Sequence, residues 1–563
     1  MENRRFILIA LLGAVLFFIY QAWQKEHAAA PLPPAPAVTV PGDDLPRAMP
    51  ASDRPAAAPA TPGTEPGPTI AGSANPAARV KVETDLYIAE IALLGGELRR
   101  VELKGYPVSK DRPGEHFALL NDRDGRYYVL QSGLAGAESA LVTHQSSFSS
   151  AQTEYRMVEG AETLDVALDY TDASGLRATK TYRFRRGSYQ VDLLQTVNNS
   201  GDAELAVSPY VRIVRTNTKA GDEPKFVATF TGVGLYEQKE NGSNYRFVKT
   251  GLDDLDDEPV QRQQQGGWIA MLQHYFVTAI LPPPEEQHSF SAKPAQGQGY
   301  QAQYVGAMTM VPAGGQHQFT TPLYLGPKLQ DSIGNYAKGL ELTVDYGILT
   351  PISEPLFWLL EKFHKLTGNW GWAIILLTIV VKGLMYKLSE AQYRSMAKMK
   401  KFAPKLQDIK ERYGNDRERQ QKAMMDLYKK EGFNPLAGCW PLLLQFPVFI
   451  ALYWVLLESV ELRQAPFLLW LQDLTAPDPF YVLPVLFGIS MWVQQKLSGT
   501  QAMDPMQQRI MNVMPIGMTA FFAFFQSGLV LYWFVSNLIG ILQQWFITRK
   551  LEREEAAKAI AKR

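Results

Sequence analysis

The chain is 563 residues long, beyond the size of one ordinary domain, and its 56 basic and 56 acidic side chains balance to zero. A single cysteine, Cys439, excludes an intrachain disulfide and a cysteine metal cluster. Seven scattered histidines lack HExxH spacing, and there is no phosphate-cradling glycine loop or GxSxG elbow, so no catalytic constellation, metal site or cofactor is called for. The near-neutral average hydropathy hides a strong unevenness: apolar residues concentrate at Phe6–Trp23 and again after Leu356.

In chain order, MENRRFILIALLGAVLFFIYQAW places Arg4 and Arg5 before an apolar run. An uncleaved anchor over residues 1–25 fits better than a cleaved signal, because the core is long and Trp23, Lys25 and Glu26 separate it from Ala28–Ala30. The arginines stay in the cytoplasm and the following chain is exported. Residues 26–79 are rich in alanine and proline with almost no large apolar side chains, the composition of a disordered tether. From 80 to 340 the texture is short alternating runs, such as VKVETDLYIAEI and YRFRRGSYQVDLLQTV, separated by turn residues. That period of two predicts one large antiparallel β-sandwich. No acid–base pair converges in it, so its reading is a folding or docking module. Next, SEPLFWLLEKFHKL places Leu356, Leu360 and Phe363 on one side of a helix, and predicts an amphipathic interfacial helix within a linker at 341–368.

The membrane half, 369–548, opens with WGWAIILLTIVVKGLMYK, a membrane-length run with Lys382 inside it. A charge at the bilayer centre costs roughly 2.5–3.5 kcal/mol on insertion scales, which makes the residue a functional candidate. Extended straight to Lys387, the helix would put Lys382 about 7–8 Å inside its end, a depth from which lysine can also snorkel. Thr378 lies one turn away on the same face. Four more apolar segments follow, near Leu436–Leu457, Phe480–Val493, Ile510–Phe525 and Leu529–Ile547. Residues 388–435 hold twelve Lys/Arg against seven Asp/Glu, whereas 458–479 hold Arg463 against four acids. The first loop is therefore cytoplasmic and the second outside. Six spans result, with both termini cytoplasmic and residues 24–369 exported. Two spans are short, about 21 Å and 24 Å against a core of about 30 Å. Polar residues recur inside the spans, including Gln445, Thr519, Asn537, Gln543 and Gln544, with Trp533 one turn from Asn537. Lys382, Thr378, Gln445, Trp533 and Asn537 are thus candidates to surround one polar cavity. The 388–435 loop reads as a short basic helical hairpin: Met399, Phe402, Leu406, Ile409 and Tyr413 form a seam, Gly414-Asn415 breaks it, and Asp416 caps a second helix. Its basic surface suits RNA or anionic lipid. The tail, 549–563, is short and of mixed charge.

The stretches GGWIAMLQHYFVTAI, LELTVDYG, GNWGWAI, AQYRSMAKMKK, NPLAGCWPLLLQFPVFIALYW, SVELRQAPF, DPMQQRIM and SGLVLYWFVSNL resemble the Gram-negative form of the YidC membrane protein insertase family. The resemblance implies a polytopic α-helical membrane protein of the bacterial inner membrane, with a five-helix insertase core behind the first anchor and an all-β periplasmic sandwich. It implies a hydrophilic groove open to cytoplasm and lipid, with Thr378 and Trp533 where a client helix slides past and Gln445 in the lining. Nascent membrane proteins, the Sec translocon, the ribosome and the signal recognition machinery are the partners it implies, besides the bilayer; nothing calls for DNA. This sequence departs from the family at one position: Lys382 stands where arginine is usual, which keeps the charge and loses the planar fork. A solute transporter with an exported sugar-binding domain is the competing class, but it would want an inverted repeat that is not evident.

Overall fold

The computed structural model describes residues 78–561 except 138–139, 173–174, 219–228, 240–243, 296–298, 415, 431–439 and 499–504. The expected anchor, nearly all of the tether and Cys439 lie outside the described residues, as do the side chains of Met399, Phe402 and Leu406.

Alternation in the sequence becomes two faces of a sheet. In RATKTYRFR, Arg177–Arg185, the residues Ala178, Lys180, Tyr182 and Phe184 point inward while their neighbours face out. That strand pairs antiparallel with Gln190–Asn198, which pairs in turn with Gln316–Pro327. They belong to an eight-stranded sheet, and a twelve-stranded sheet covers it. Leu98, Val101, Leu130, Val191, Ile213 and Phe290 are among the residues packed between the two.

Eight helices are described in the second half: α1 (Thr350–Thr367), α2 (Trp370–Leu384), α3 (Tyr386–Tyr413), α4 (Arg417–Lys430), α5 (Trp440–Glu458), α6 (Val482–Ser498), α7 (Pro505–Phe522) and α8 (Ser527–Ala561). α1 covers the stretch expected to be amphipathic; Phe357 and Leu360 are buried against the helical core while Trp358 and Leu366 are exposed. Gly368, in the left-handed conformation at φ 66°, ends α1. Asn369 then caps α2, its carbonyl oxygen accepting from Gly371 N (2.9 Å) and Trp372 N (3.2 Å). The same side chain donates to the carbonyls of Pro466 and Phe467, both at 3.2 Å, which ties the start of α2 to the 458–479 loop. Leu377, Leu452, Val455, Phe487, Leu529 and Val530 form the buried centre of the bundle. In the basic hairpin, Asp416 caps α4 as expected, its carboxylate accepting from Arg419 N at 3.1 Å.

One difference from the sequence reading matters for function. The run expected to be a single helix from Trp370 to Lys387 is broken, and α2 and α3 meet at an angle of 62°. α2 has 15 residues, a length of roughly 22 Å. Among the described residues, α8 alone is long and apolar enough to cross a bilayer unaided, and the bent α2–α3 pair qualifies when taken as one span.

The sandwich and the bundle meet at a defined joint. Val460, just after α5, packs into the sandwich core. Glu461 accepts from Gln330 N (2.8 Å), and the Gln330 side chain donates to Ser459 Oγ (2.9 Å). Arg463 donates to the Pro107 carbonyl at 3.0 Å. Both Glu461 and Lys328 are shifted by burial, the carboxyl up to about 7 and the ammonium down to about 8.

Candidate functional site: a polar stripe beside a broken helix

α2 packs on α1 and α8, while α6 packs on α7 and α8. Every proposed site residue except Gln445, on α5, therefore lies on α2 or α8. Residues 533, 537, 540 and 544 of α8 recur at helical spacing and share one face.

Lys382 sits on the last turn of α2, about 18 Å along the helix from Trp370. The bend after Leu384 has a chemical consequence. A helix end leaves carbonyls without intrahelical donors, and in an apolar setting each must find another partner. The Lys382 carbonyl finds Gln543 of α8, whose Nε2 donates at 3.2 Å. The Lys382 side chain is half-buried, and among the described residues its ammonium makes no hydrogen bond and has no carboxylate within 4.0 Å. Its charge remains available.

Trp533 lies between α5, α6 and α7, its ring 4.7 Å from Phe449, 6.0 Å from Phe487 and 5.6 Å from Phe522. Its indole N–H is buried without a hydrogen-bond partner among the described residues. Asn537 donates to Ser490 Oγ of α6 at 3.3 Å. Gln445 lies beside the buried Tyr532 hydroxyl, near it but outside good hydrogen-bond geometry. Thr378 is fully buried, and its hydroxyl donates to the Ile374 carbonyl at 2.6 Å within its own helix. Trp533, Asn537 and Gln445 thus gather where α5, α6 and α8 meet. Lys382 meets α8 further along, where its carbonyl accepts from Gln543, about 9 Å past Asn537 on the helix, and Thr378 is closed off in this arrangement.

The structure adds residues that the sequence reading did not single out. Tyr393 of α3 donates to the Gly540 carbonyl at 3.1 Å. Gln494 lies against Gly540, where an added Cβ would meet its Nε2 at 3.1 Å. Ser490 and Gln495 are buried, and Gln495 donates to the Met511 carbonyl. The available signal was the Gln494–Gln495 pair, just past the expected end of a span at Val493.

The sandwich holds a second polar group of a different character. Glu97 and Lys180 are fully buried, and Arg212 nearly so. Glu97 accepts from Arg99 (2.8 Å) and Gln131 (2.6 Å); Lys180 donates to the carbonyls of Gly95 (2.6 Å) and Ser132 (3.0 Å). Arg212 donates to Gln131 at 2.6 Å and meets the His144 ring at 2.9 Å. Burial with these cations nearby pushes His144 down to about 3, so it is neutral at ordinary pH. Each of these charges is already spent on neighbours.

A large β-rich domain docked on an apolar helical bundle that carries a polar seam is the class the fold defines, with one described helix long and apolar enough to cross a bilayer and a bent pair that qualifies as a second. Comparisons agree with that class. Residues 79–359 match the model of the YidC periplasmic domain, and residues 362–555 match that of the 60Kd inner membrane protein. A membrane protein insertase YidC of Nitrosococcus oceani is 43% identical over 98% of this chain and 100% of that protein. The protein of the same name from Methylococcus capsulatus is 44% identical over 99% of this chain and 100% of its own length. A crystal structure of an active YidC insertase with its first transmembrane domain resolved aligns over 83% of this chain and 92% of that one, at 16% identity and a TM-score of 0.38. The chain belongs to the YidC family of membrane protein insertases. That family is non-enzymatic and resides in the inner membrane.

Proposed function

We propose that this insertase works by lowering the cost of moving a client's polar tail across lipid, and that Lys382 is the residue that attracts it. The supporting observation is an ammonium without a counter-ion among the described residues, held at a helix break beside the polar stripe of α8. A client's acidic tail enters from the cytoplasm and pairs with Lys382. At ~4 Å and an effective dielectric of ~20 the attraction is about 4 kcal/mol before desolvation is subtracted. Asn537 and Gln445 offer hydrogen bonds to the passing backbone, and Trp533 offers an apolar face with one unspent N–H. Thr378 meets the client only once α2 moves away from its neighbours. As the apolar client segment partitions into lipid, its hydrophobic gain releases the tail on the far side.

In this reading the chain has six spans and both termini in the cytoplasm. Residues 1–25 are the anchor, 26–79 the tether, 80–340 the exported sandwich and 369–548 the insertase core. The short helices α2, α6 and α7 thin the bilayer around the seam. The basic hairpin 388–435 and the tail meet the ribosome and signal recognition machinery. The Sec translocon shares clients for which this protein acts as a chaperone. Crosslinking from Trp533 to a stalled nascent chain tests the route. Crosslinks that follow client length support it, and their absence while insertion proceeds refutes it.

A further inference from the structure

We propose that α8 carries a binding site for one anionic phospholipid, in an open cleft of about 730 Å³ between α8 and the start of α3. The site rests on the membrane orientation proposed above and adds a ligand to it. The cleft is graded along the helix. Ile539, Leu542 and Phe546 line one end, about 18–29 Å from Ser527, and Arg549, Lys550 and Arg553 line the other, about 33–39 Å away. A hydrocarbon core of about 30 Å therefore ends where the cations begin. Trp545, which also lines the cleft, sits at that boundary, the position interfacial aromatics favour.

The charges are not equivalent. Lys550 lies 3.6 Å from Glu390, and Arg394 holds both Glu390 (2.9 Å) and Glu554 (3.4 Å). The carboxylates around the cleft are thereby engaged. Arg549 lies 4.0 Å above the Trp545 ring, and neither it nor Arg553 has a carboxylate within 4.0 Å among the described residues. A guanidinium resting on a ring face keeps its in-plane N–H donors for other partners, and the Arg549 side chain is exposed, which suits a phosphate. Leu542 and Phe546 are 56% and 60% exposed, and Phe546 meets the Trp545 ring edge-on at 4.8 Å, an apolar wall left largely open. An acyl chain against that wall, with its phosphate on the two guanidiniums, satisfies both ends of the cleft. A nucleic acid or an acidic peptide would leave the apolar end bare.

The test uses the full-length protein, delipidated in detergent, with lipid binding read by native mass spectrometry. Phosphatidylglycerol should bind about thirtyfold more tightly than phosphatidylcholine, since each basic residue near an anionic surface contributes roughly fivefold. Arg549→Gln combined with Arg553→Gln should erase that preference without lowering the thermal midpoint. Equal affinities in the parent, or a preference that survives in the double variant, would overturn the site. Competition by inorganic phosphate at matched concentration would also overturn it, because the apolar wall would then contribute nothing. A photocrosslinker at Leu542 should capture lipid; capture of the chain's own Phe6–Trp23 segment would assign the cleft to that segment instead. None of these readouts depends on insertion or on Lys382, so this site and the proposed mechanism fail separately.

Discussion

The sandwich and the bundle both contain charge away from water, and they treat it in opposite ways. In the sandwich, Glu97, Lys180 and Arg212 are each met by two or more partners at 2.6–3.0 Å. In the bundle, Lys382 has no ion-pair partner among the described residues, and the Trp533 N–H is unspent. A buried charge that is paired and hydrogen-bonded contributes to a unique fold, whereas one left waiting costs stability and gains a capacity to bind. The first arrangement suits a domain that must hold its shape, the second a seam that must receive a stranger.

Mutation separates the two. Glu97→Ala takes from Arg99 and Gln131 the carboxylate they donate to, and from Lys180 its nearby counter-charge, and should destabilise the sandwich by about 3–5 kcal/mol. A denaturant titration followed by tryptophan fluorescence checks this; a loss below 1 kcal/mol would mean water replaces the carboxylate.

The joint between the regions offers the next effect. Burial raises the Glu461 carboxyl to about 7, so the folded joint holds its proton more tightly than the open chain does. Its contribution is fully present below pH ~4.5, is lost as pH rises from there through 7, and stays lost above; the span is on the order of 3 kcal/mol. His274, also at the joint and held down to about 3 by burial, works in the opposite sense: stability falls as pH drops below ~6.5. The useful quantity is therefore the difference between Glu461→Gln and the parent, in which the histidine cancels. The variant should be more stable than the parent at pH 8, with the gap closing by pH 4.5. A gap independent of pH in thermal scans would show that Glu461 does not titrate with folding.

Smaller changes sharpen the picture of the bundle. Asn369→Ala removes the cap of α2 and its tie to the outer loop, for about 1–2 kcal/mol. Hydrogen exchange at Gly371 and Trp372 should rise selectively. Thr378→Val removes a hydroxyl bonded only within its own helix, so stability should change by less than about 1 kcal/mol. A loss of insertion without a loss of stability in that variant would show that clients do reach Thr378.

Much of this contrast could be read from the residues, but not all. Period-two runs marked out the β-rich domain, and apolar runs located α1, α5, α6 and α7 to within a turn or two of their ends. α8 is the exception, continuing as a polar helix to Ala561. The break after Leu384 was hidden because no proline marks it, and Met385 and Tyr386 prolong the apolar run past it. Lys180 was hidden differently: an inward lysine in an alternating strand reads as a solvent residue until the Gly95 and Ser132 carbonyls are seen around it. Tyr393, Ser490 and Gln494 act across helices far apart in the chain, and local spacing carries no signal for such contacts. Lys382, Trp533 and Asn537 stood out as candidates because polar groups in apolar runs are expensive.

The central claim is that the Lys382 charge, rather than its bulk, draws the client tail. Insertion into liposomes with one small client and no Sec components tests it most directly, using Lys382→Glu and Lys382→Arg against clients with acidic or lysine-bearing tails. The arginine variant should insert the acidic-tailed client, the glutamate variant should fail with it, and the glutamate variant should regain insertion when the tail is made basic. Undiminished insertion of the acidic-tailed client by Lys382→Glu would contradict the account.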